Sequence, residues 1–504
     1  MPVLRKDWDL KTEPRLITVQ GRQLHKPTVH YASTGTAKVG GDAGWNLLSH
    51  RFRLPKRLPK WTYLILSPPS ENNKIHPIMH EFGRVIQQTG IAVIPPTEPF
   101  TALSATRLED MAIKLDEYLK TAFEEGVMLI FVVLPSPNTP YYNIVKRLGD
   151  AKYGIATICM NVKKLTKTSG QDQYLRNISM KVNLKVGGSN HVVGTEQLRL
   201  ISPDDTMIVG IDVTHPSPGS SSFAPSIAAM VASVDNALGQ WPAILSSQNT
   251  ARQEMVSGLT GMLESRLRLW GTRHNNSLPE NILVYRDGVS EGQYKLVIDN
   301  ELPALRKACK EVYGESYKEG HKPRLTIIVV GKRHHSRFYP TDPKNAHVSG
   351  NQKDPDNIRK GNTKAGTVVD RGVTEGQNWD FFLQAHSPIK GTARPAHQYV
   401  LLDEIFRSKY ASMKIPGYNN VADVVEEVTQ ALCYIFGRAT RAVSVCTPAY
   451  YADLACERAR CYFDNLYSPA AQGIGAGSRP DIMSLASNGN VPIHERLKDS
   501  MFYI

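Results

Sequence analysis

Six cysteines, none in a CxxC pair, are too few and too scattered across 504 residues for a disulfide framework or a zinc site. There is no apolar stretch at the N-terminus and no apolar run long enough to cross a bilayer, so neither a signal peptide nor a membrane span is marked. No internal repeat is visible. Together these absences predict a soluble, cytoplasmic protein of a reducing compartment, with no membrane partner. Acid is also in deficit. Asp and Glu number 47 against 60 Lys and Arg, for a net charge of +13. That excess suits a polyanionic partner such as nucleic acid, and equally a basic soluble enzyme.

What is present is ample apolar material. At 41% hydrophobic the chain can fill sizeable cores, and its length suggests two or three domains. Residues 1–55 are polar and irregular and read as a linker segment without a core. From 61–66 onward the pattern alternates. Strands are expected at 61–66, 91–94, 128–134 and 155–162, and helices at 107–125, from Pro140 (capped by Thr139) and at 174–184. Alternation of this kind argues for an α/β fold with a parallel sheet and covering helices, placed at 56–195. A second domain, 196–504, is expected to hold strands at 207–213, 226–235, 282–285 and 325–330. Its helices are expected at 250–270 and 421–436 and from Thr447. Residues 468–490 are rich in Gly, Ser, Ala and Asn and read as a surface loop.

Two strands carry a carboxylate into the turn that follows. MIVGIDVTHP places Asp212 after an apolar run, and NILVYRDGVSEGQ does the same for Asp287. Strand ends are where open α/β sheets put their chemistry. Two further acids are expected near helix starts, Glu254 in ARQEM and Asp453 in TPAYYADLACERAR. Each has a plain alternative, as a turn cap or a first-turn acid favouring the helix dipole. A chemistry that would use all four is metal-assisted phosphodiester cleavage, because Mg²⁺ takes hard oxygen ligands and acids clustered without a cation repel one another.

The first domain carries a different pattern. Tyr142 and Lys146 are four residues apart and share a helix face, as do Lys181 and Lys185. Like charges at that spacing repel, and a bound anion would reverse the sign.

The blocks IVGIDVTHP, YRDGVSEGQ, VVGKRHHSR, GTARPAHQYV and PAYYADLACERAR, in this order, resemble the successive signatures of eukaryotic Argonaute proteins. The resemblance covers roughly 56–504. It implies a Rossmann-like MID domain followed by an RNase H-like PIWI domain, as the C-terminal lobe of a longer protein. It implies a catalytic set Asp212, Glu254, Asp287 and Asp453, with Asp212, Asp287 and Asp453 as ligands for Mg²⁺ or Mn²⁺. It also implies a pocket for the 5′-phosphate of a guide RNA at Tyr142, Lys146, Lys181, Lys185 and Arg458. Asp453 and Arg458, five residues apart, would leave one helix about 140° apart and so serve two sites. Lys332, Arg333, His334, Arg337 and Arg394 would touch the guide backbone, and such contacts position without reading sequence. One departure stands out: Ile158 occupies a strand position where the family commonly has Gln, and it cannot hydrogen-bond a phosphate.

Three readings follow. The first is small-RNA-guided cleavage of complementary target RNA, within RNA silencing. The second is a guide-binding scaffold that recruits silencing partner proteins without cutting. The third is an unguided RNase H-like nuclease or transposase, which leaves the Tyr142 and lysine set unexplained.

Overall fold

The computed structural model describes residues 15–32, 35–66, 72–96, 101–137, 140–198, 200–221, 224–248, 252–347, 361–413, 417–467 and 491–504. The loop expected at 468–490 and the cap expected at Thr139 lie outside them.

Two main sheets organise the chain. The smaller has four strands, in the order Thr101–Ala102, Trp61–Ile65, Leu129–Leu134, Ala156–Asn161, all parallel. Leu129–Leu134 is buried along its whole length, as a central parallel strand covered on both faces requires. The covering helices include Asn72–Gln88, Leu108–Glu124 and Gln171–Lys185. The strand expected at 91–94 does not form. Its carbonyls are taken singly, Ala92 O by the Leu58 amide and Ile94 O by Trp61 Nε1, and Pro95-Pro96 then offers no N–H to a ladder. The helix expected from Pro140 begins at Tyr141, with Pro140 in the cap position.

The larger sheet has nine strands. At its centre Thr206–Thr214 lies parallel to Asn281–Asp287, which lies parallel to Arg324–Gly331. Ser226–Ala232 and Ala243–Gln248 add antiparallel strands on one side. Asp212 is therefore not at a strand end. It lies two residues before the end of its strand, held there by the antiparallel pairing of Ala229 with Asp212. The helix expected at 250–270 is Leu259–Arg273. Residues ahead of it are pinned by side chains instead: Glu301 accepts the Val256 amide and Gln248 accepts the Ser257 amide. Glu254 thus sits in a loop and not on a helix.

The helix Thr447–Arg460 packs on the central strands, and Gly210 makes this possible. A Cβ at Gly210 would lie 1.9 Å from the Pro448 carbonyl oxygen. Only glycine lets helix backbone and strand backbone approach so closely.

Residues 15–55 correct the expectation of a coreless linker. Tyr31, Leu47 and Phe52 are fully buried. Arg22–Gln23 adds an edge strand to the large sheet beside Thr367–Val369. Arg22 also pairs with Asp423 and Glu426, both buried on the helix Val421–Tyr434. Removing this cation leaves two buried carboxylates facing each other. Arg22→Ala is expected to cost about 2 kcal/mol, less than the roughly 3–5 kcal/mol of a fully buried pair because Arg22 is partly exposed. Calorimetry would register this as a melting point about 2 °C lower. Among the described residues, no helix is long and apolar enough to cross a membrane.

Candidate functional site

The parallel register pairs Ile211 with Arg286, so Asp212 and Asp287 follow on adjacent strands at the same end of the sheet. Gly288, at φ 87°, turns the chain just after Asp287. A Cβ there would lie 3.0 Å from Glu254 Oε1 and 3.2 Å from Asp212 Oδ1, so the bare glycine leaves room for both carboxylates. Asp453 approaches from the packed helix. Electrostatically the acids form one group. Burial, then the charges of Asp212 and Asp453, push Asp287 up to about 7. Burial and the charges of Asp212 and Glu457 push Asp453 up to about 6. Asp212 is raised by burial and by Glu254, with Arg286 and Arg333 opposing.

Glu254 is held from two sides. Arg286 Nη1 donates to its Oε1 at 3.0 Å, and Arg286 Nη2 donates to its carbonyl at 2.6 Å. His215 Nε2 lies 2.9 Å from Oε2, and His215 Nδ1 is 2.9 Å from Ser226 Oγ. Arg286 is fully buried and is itself anchored by Glu301, at 3.0 Å. Sequence reading missed Arg286, Glu301 and His215. The signal was available for Arg286: an arginine inside an apolar strand must have a buried partner. No comparable signal marks Glu301, whose partner is 15 residues away. His215 acts here through Glu254 as a positioning residue.

These carboxylates suit a divalent cation. They are hard oxygen donors, and burial together with their mutual repulsion raises their pKa values, a repulsion that a cation would relieve. Among the described residues, no three His, Cys, Asp or Glu side chains are already drawn together as a ligand cage.

A second site lies where the two sheets' helices meet. A cavity of about 720 Å³ is lined by Tyr142, Lys146, Lys181, Arg438 and Arg458, with Ile158 in its wall. Lys146 Nζ donates to the Thr157 carbonyl at 2.7 Å and lies 5.4 Å from the Tyr142 ring centre. Burial, then the charges of Arg438 and Lys146, lower Lys181 to about 7. Cations crowded this closely call for an anion. Lys185, grouped with them from the sequence, does not line the cavity. It is buried behind the wall and donates to the Phe502 carbonyl at 2.6 Å. Arg458 does line it, and also donates to Asp150 at 2.8 Å and to the Phe502 carbonyl at 2.6 Å. Asp150 and the 491–504 segment were not anticipated. The hydroxyl of Thr157 is taken by Lys146 at 2.8 Å, so beside Ile158 only the Cys159 thiol remains as a strand polar group in the wall.

The basic run after Arg324–Gly331 divides. Arg333 and Arg394 are exposed, whereas Lys332 donates to Ser444 Oγ and is held below its ordinary pKa by burial and by Arg394. His334 Nε2 is 2.9 Å from the Pro395 carbonyl, and Arg337 donates to the His334 and Ser336 carbonyls.

Comparison with known proteins agrees with this architecture. The Piwi domain family matches residues 129–464, more than half of the chain. Protein argonaute 1B of Oryza sativa subsp. japonica is 33% identical, covering 99% of this chain and 45% of that protein. Protein argonaute 5 of Arabidopsis thaliana is 31% identical, covering 99% and 48%. The chain thus spans about half the length of the curated relatives it matches. Among solved structures, the C-terminal lobe of a budding yeast Argonaute superposes with TM-score 0.77 at 26% identity, covering 96% of this chain and 95% of that one. The MID-PIWI domains of N. crassa QDE-2 superpose with TM-score 0.64 at 32% identity, covering 90% and 100%. Fold and matches together define an α/β lobe in which a MID domain is joined to an RNase H-like PIWI domain. The chain belongs to the Piwi-domain family, among the Argonaute proteins.

Proposed function

We propose that this chain binds the 5′-phosphorylated end of a small guide RNA and cleaves complementary target RNA within RNA silencing. One observation carries the reading. The helix Thr447–Arg460 sends Asp453 to the carboxylate group and Arg458 into the cationic cavity. A single rigid element thereby sets the distance between an anion anchor and an acidic centre, as measured cleavage from an anchored end requires.

We assign guide anchoring to 56–195 together with Arg458, and target cleavage to 196–504. Tyr142 offers a ring face for the first guide base, and Lys146, Lys181 and Arg458 donate charge-assisted hydrogen bonds to the phosphate. Lys185 shares the Phe502 carbonyl with Arg458. Arg333, Arg337 and Arg394 hold guide phosphates. Asp212, Asp287 and Asp453 would hold Mg²⁺, which when bound supplies Lewis-acid stabilisation of charge on the phosphate oxygens. Glu254, fixed by Arg286 and His215, orients the attacking water and receives its proton.

The test has two arms. A 5′-phosphorylated RNA should bind the parent at least 10-fold more tightly than the 5′-hydroxyl form, and Lys146→Ala should erase most of the difference. In single-turnover assays with Mg²⁺, the loaded parent should cut a matched target. Equal affinity for the two guides refutes the anchor. Cleavage that survives Asp287→Ala refutes the acidic centre, and anchored guide with no cleavage leaves the scaffold reading.

A further inference from the structure

A second cavity, of about 650 Å³, adjoins the first, and Lys181 and Arg438 line both. Lys164 and Arg441 add two more cations to it. Its lining also includes an acid, Asp42, which the proposed function does not use. Asp42 belongs to the 40–45 loop of the N-terminal segment. That loop docks beside 440–442, with the Trp45 amide donating to the Thr440 carbonyl at 2.9 Å and the Ala442 amide to the Ala43 carbonyl at 2.9 Å. Asp42 Oδ2 accepts from Arg441 Nη2 at 2.6 Å, and Asp42 Oδ1 accepts the Gly44 amide at 3.2 Å. Burial works against this carboxylate, yet the Gly44 amide and the Arg441 charge keep it below the ordinary carboxylate pKa. The loop also holds Ala43 at φ 59°, a conformation that costs a residue with a Cβ. Docking rests on the burial of Ala43 and Trp45 and on the bonds that the loop makes, and the ion pair is one of them.

A carboxylate and a phosphate compete for the same face of a guanidinium, and both take it in the same forked geometry. We propose that Asp42 is a built-in competitor for nucleic-acid phosphate in this second cavity: it holds Arg441 in the free protein and is displaced when a phosphate enters, which loosens the 40–45 loop. The inference rests on the guide reading of the first cavity. Linkage makes the coupling reciprocal: whatever pulls the loop away favours the phosphate by the same factor.

Asp42→Asn keeps the acceptor for the Gly44 amide and removes the charge. It is expected to tighten binding of a 5′-phosphorylated RNA oligonucleotide about 5-fold, the size of one exposed ion pair. Binding of a nucleoside 5′-monophosphate, which fills only the first cavity, is expected to stay unchanged. In an Arg441→Ala background the same substitution should have no further effect. Hydrogen exchange on the parent provides an independent readout, with the Trp45 and Ala442 amides exchanging faster once the oligonucleotide is bound. Unchanged or weaker oligonucleotide binding by Asp42→Asn, with the parent still preferring 5′-phosphate, overturns this inference alone. So does slower exchange at Trp45 and Ala442 on binding. Loss of the 5′-phosphate preference in the parent overturns the guide reading, and this inference with it.

Discussion

Asp287→Asn is expected to abolish target cleavage and, in the absence of divalent cations, to raise the melting temperature. The two effects have one cause. Asp287 titrates at about 7 in the folded chain, against 3.8 for a free side chain. A raised folded pKa means the native state holds the proton more tightly than the unfolded state. The stability this contributes is fully present below pH 4, falls as pH rises, and is gone above pH 7. At pH 7.5 the metal-free protein therefore carries the repulsion of Asp287 against Asp212 and Asp453. Asn keeps an oxygen to accept the Gly288 amide, now at 2.7 Å, but carries no charge. The gain is expected to be about 1–2 kcal/mol at pH 7.5 and close to nothing at pH 4. Cleavage should fall on the order of 10³-fold or more, the scale for removing an electrostatic stabiliser from a reaction centre. Calorimetry in EDTA at both pH values, then with Mg²⁺ added, tests this. Mg²⁺ should stabilise the parent at pH 7.5 more than it stabilises the variant. A variant less stable than the parent at pH 7.5 in EDTA would show that Asp287 is no source of strain.

Arg458→Ala is expected to be the most damaging single change in the anion site. Arg458 and Asp150 are both almost wholly buried and are bonded at 2.8 Å. Truncation leaves Asp150 as a buried charge whose side chain keeps, among the described residues, the hydrogen bond from the Tyr462 hydroxyl at 2.9 Å. It also frees the Tyr503 carbonyl and leaves the Phe502 carbonyl to Lys185 alone, so the 491–504 segment loses a main attachment. The expected cost is about 3–5 kcal/mol. Adding Asp150→Asn should recover a large part of that stability by removing the orphaned charge. It should not recover affinity for 5′-phosphorylated RNA, because the cation is still missing. Denaturant melts and binding on the single and double variants separate the structural role from the binding role. Affinity restored along with stability would mean that Arg458 only props the wall.

Much of this was legible in the sequence because it depends on local pattern. The parallel strands announced themselves as short apolar runs, and the carboxylates could be read from their place in those runs. Helices with a clean apolar stripe, such as Leu108–Glu124, came out within a residue of their expected ends. Failures fell where long-range hydrogen bonds override local preference. Glu254 has good helical context in its own sequence, yet Glu301 and Gln248 capture the following amides and keep that stretch out of the helix. Residues 15–55 look coreless because their apolar residues have no period. They are buried by the sheets and helices they lie across.

The sequence alone determined the alternation of elements, the acids available to the larger sheet, the cations available to the smaller one, and the family. Those depend on residue type and spacing, which the chain carries locally. Tertiary structure decided which charges meet. It brought Arg286 between Glu254 and Glu301, put Asp150 behind Arg458, moved Lys185 out of the cavity, and parked Asp42 on Arg441. Each of these pairs joins residues distant in the chain. Coulomb energy depends on separation in space and on burial, and neither is written in residue spacing.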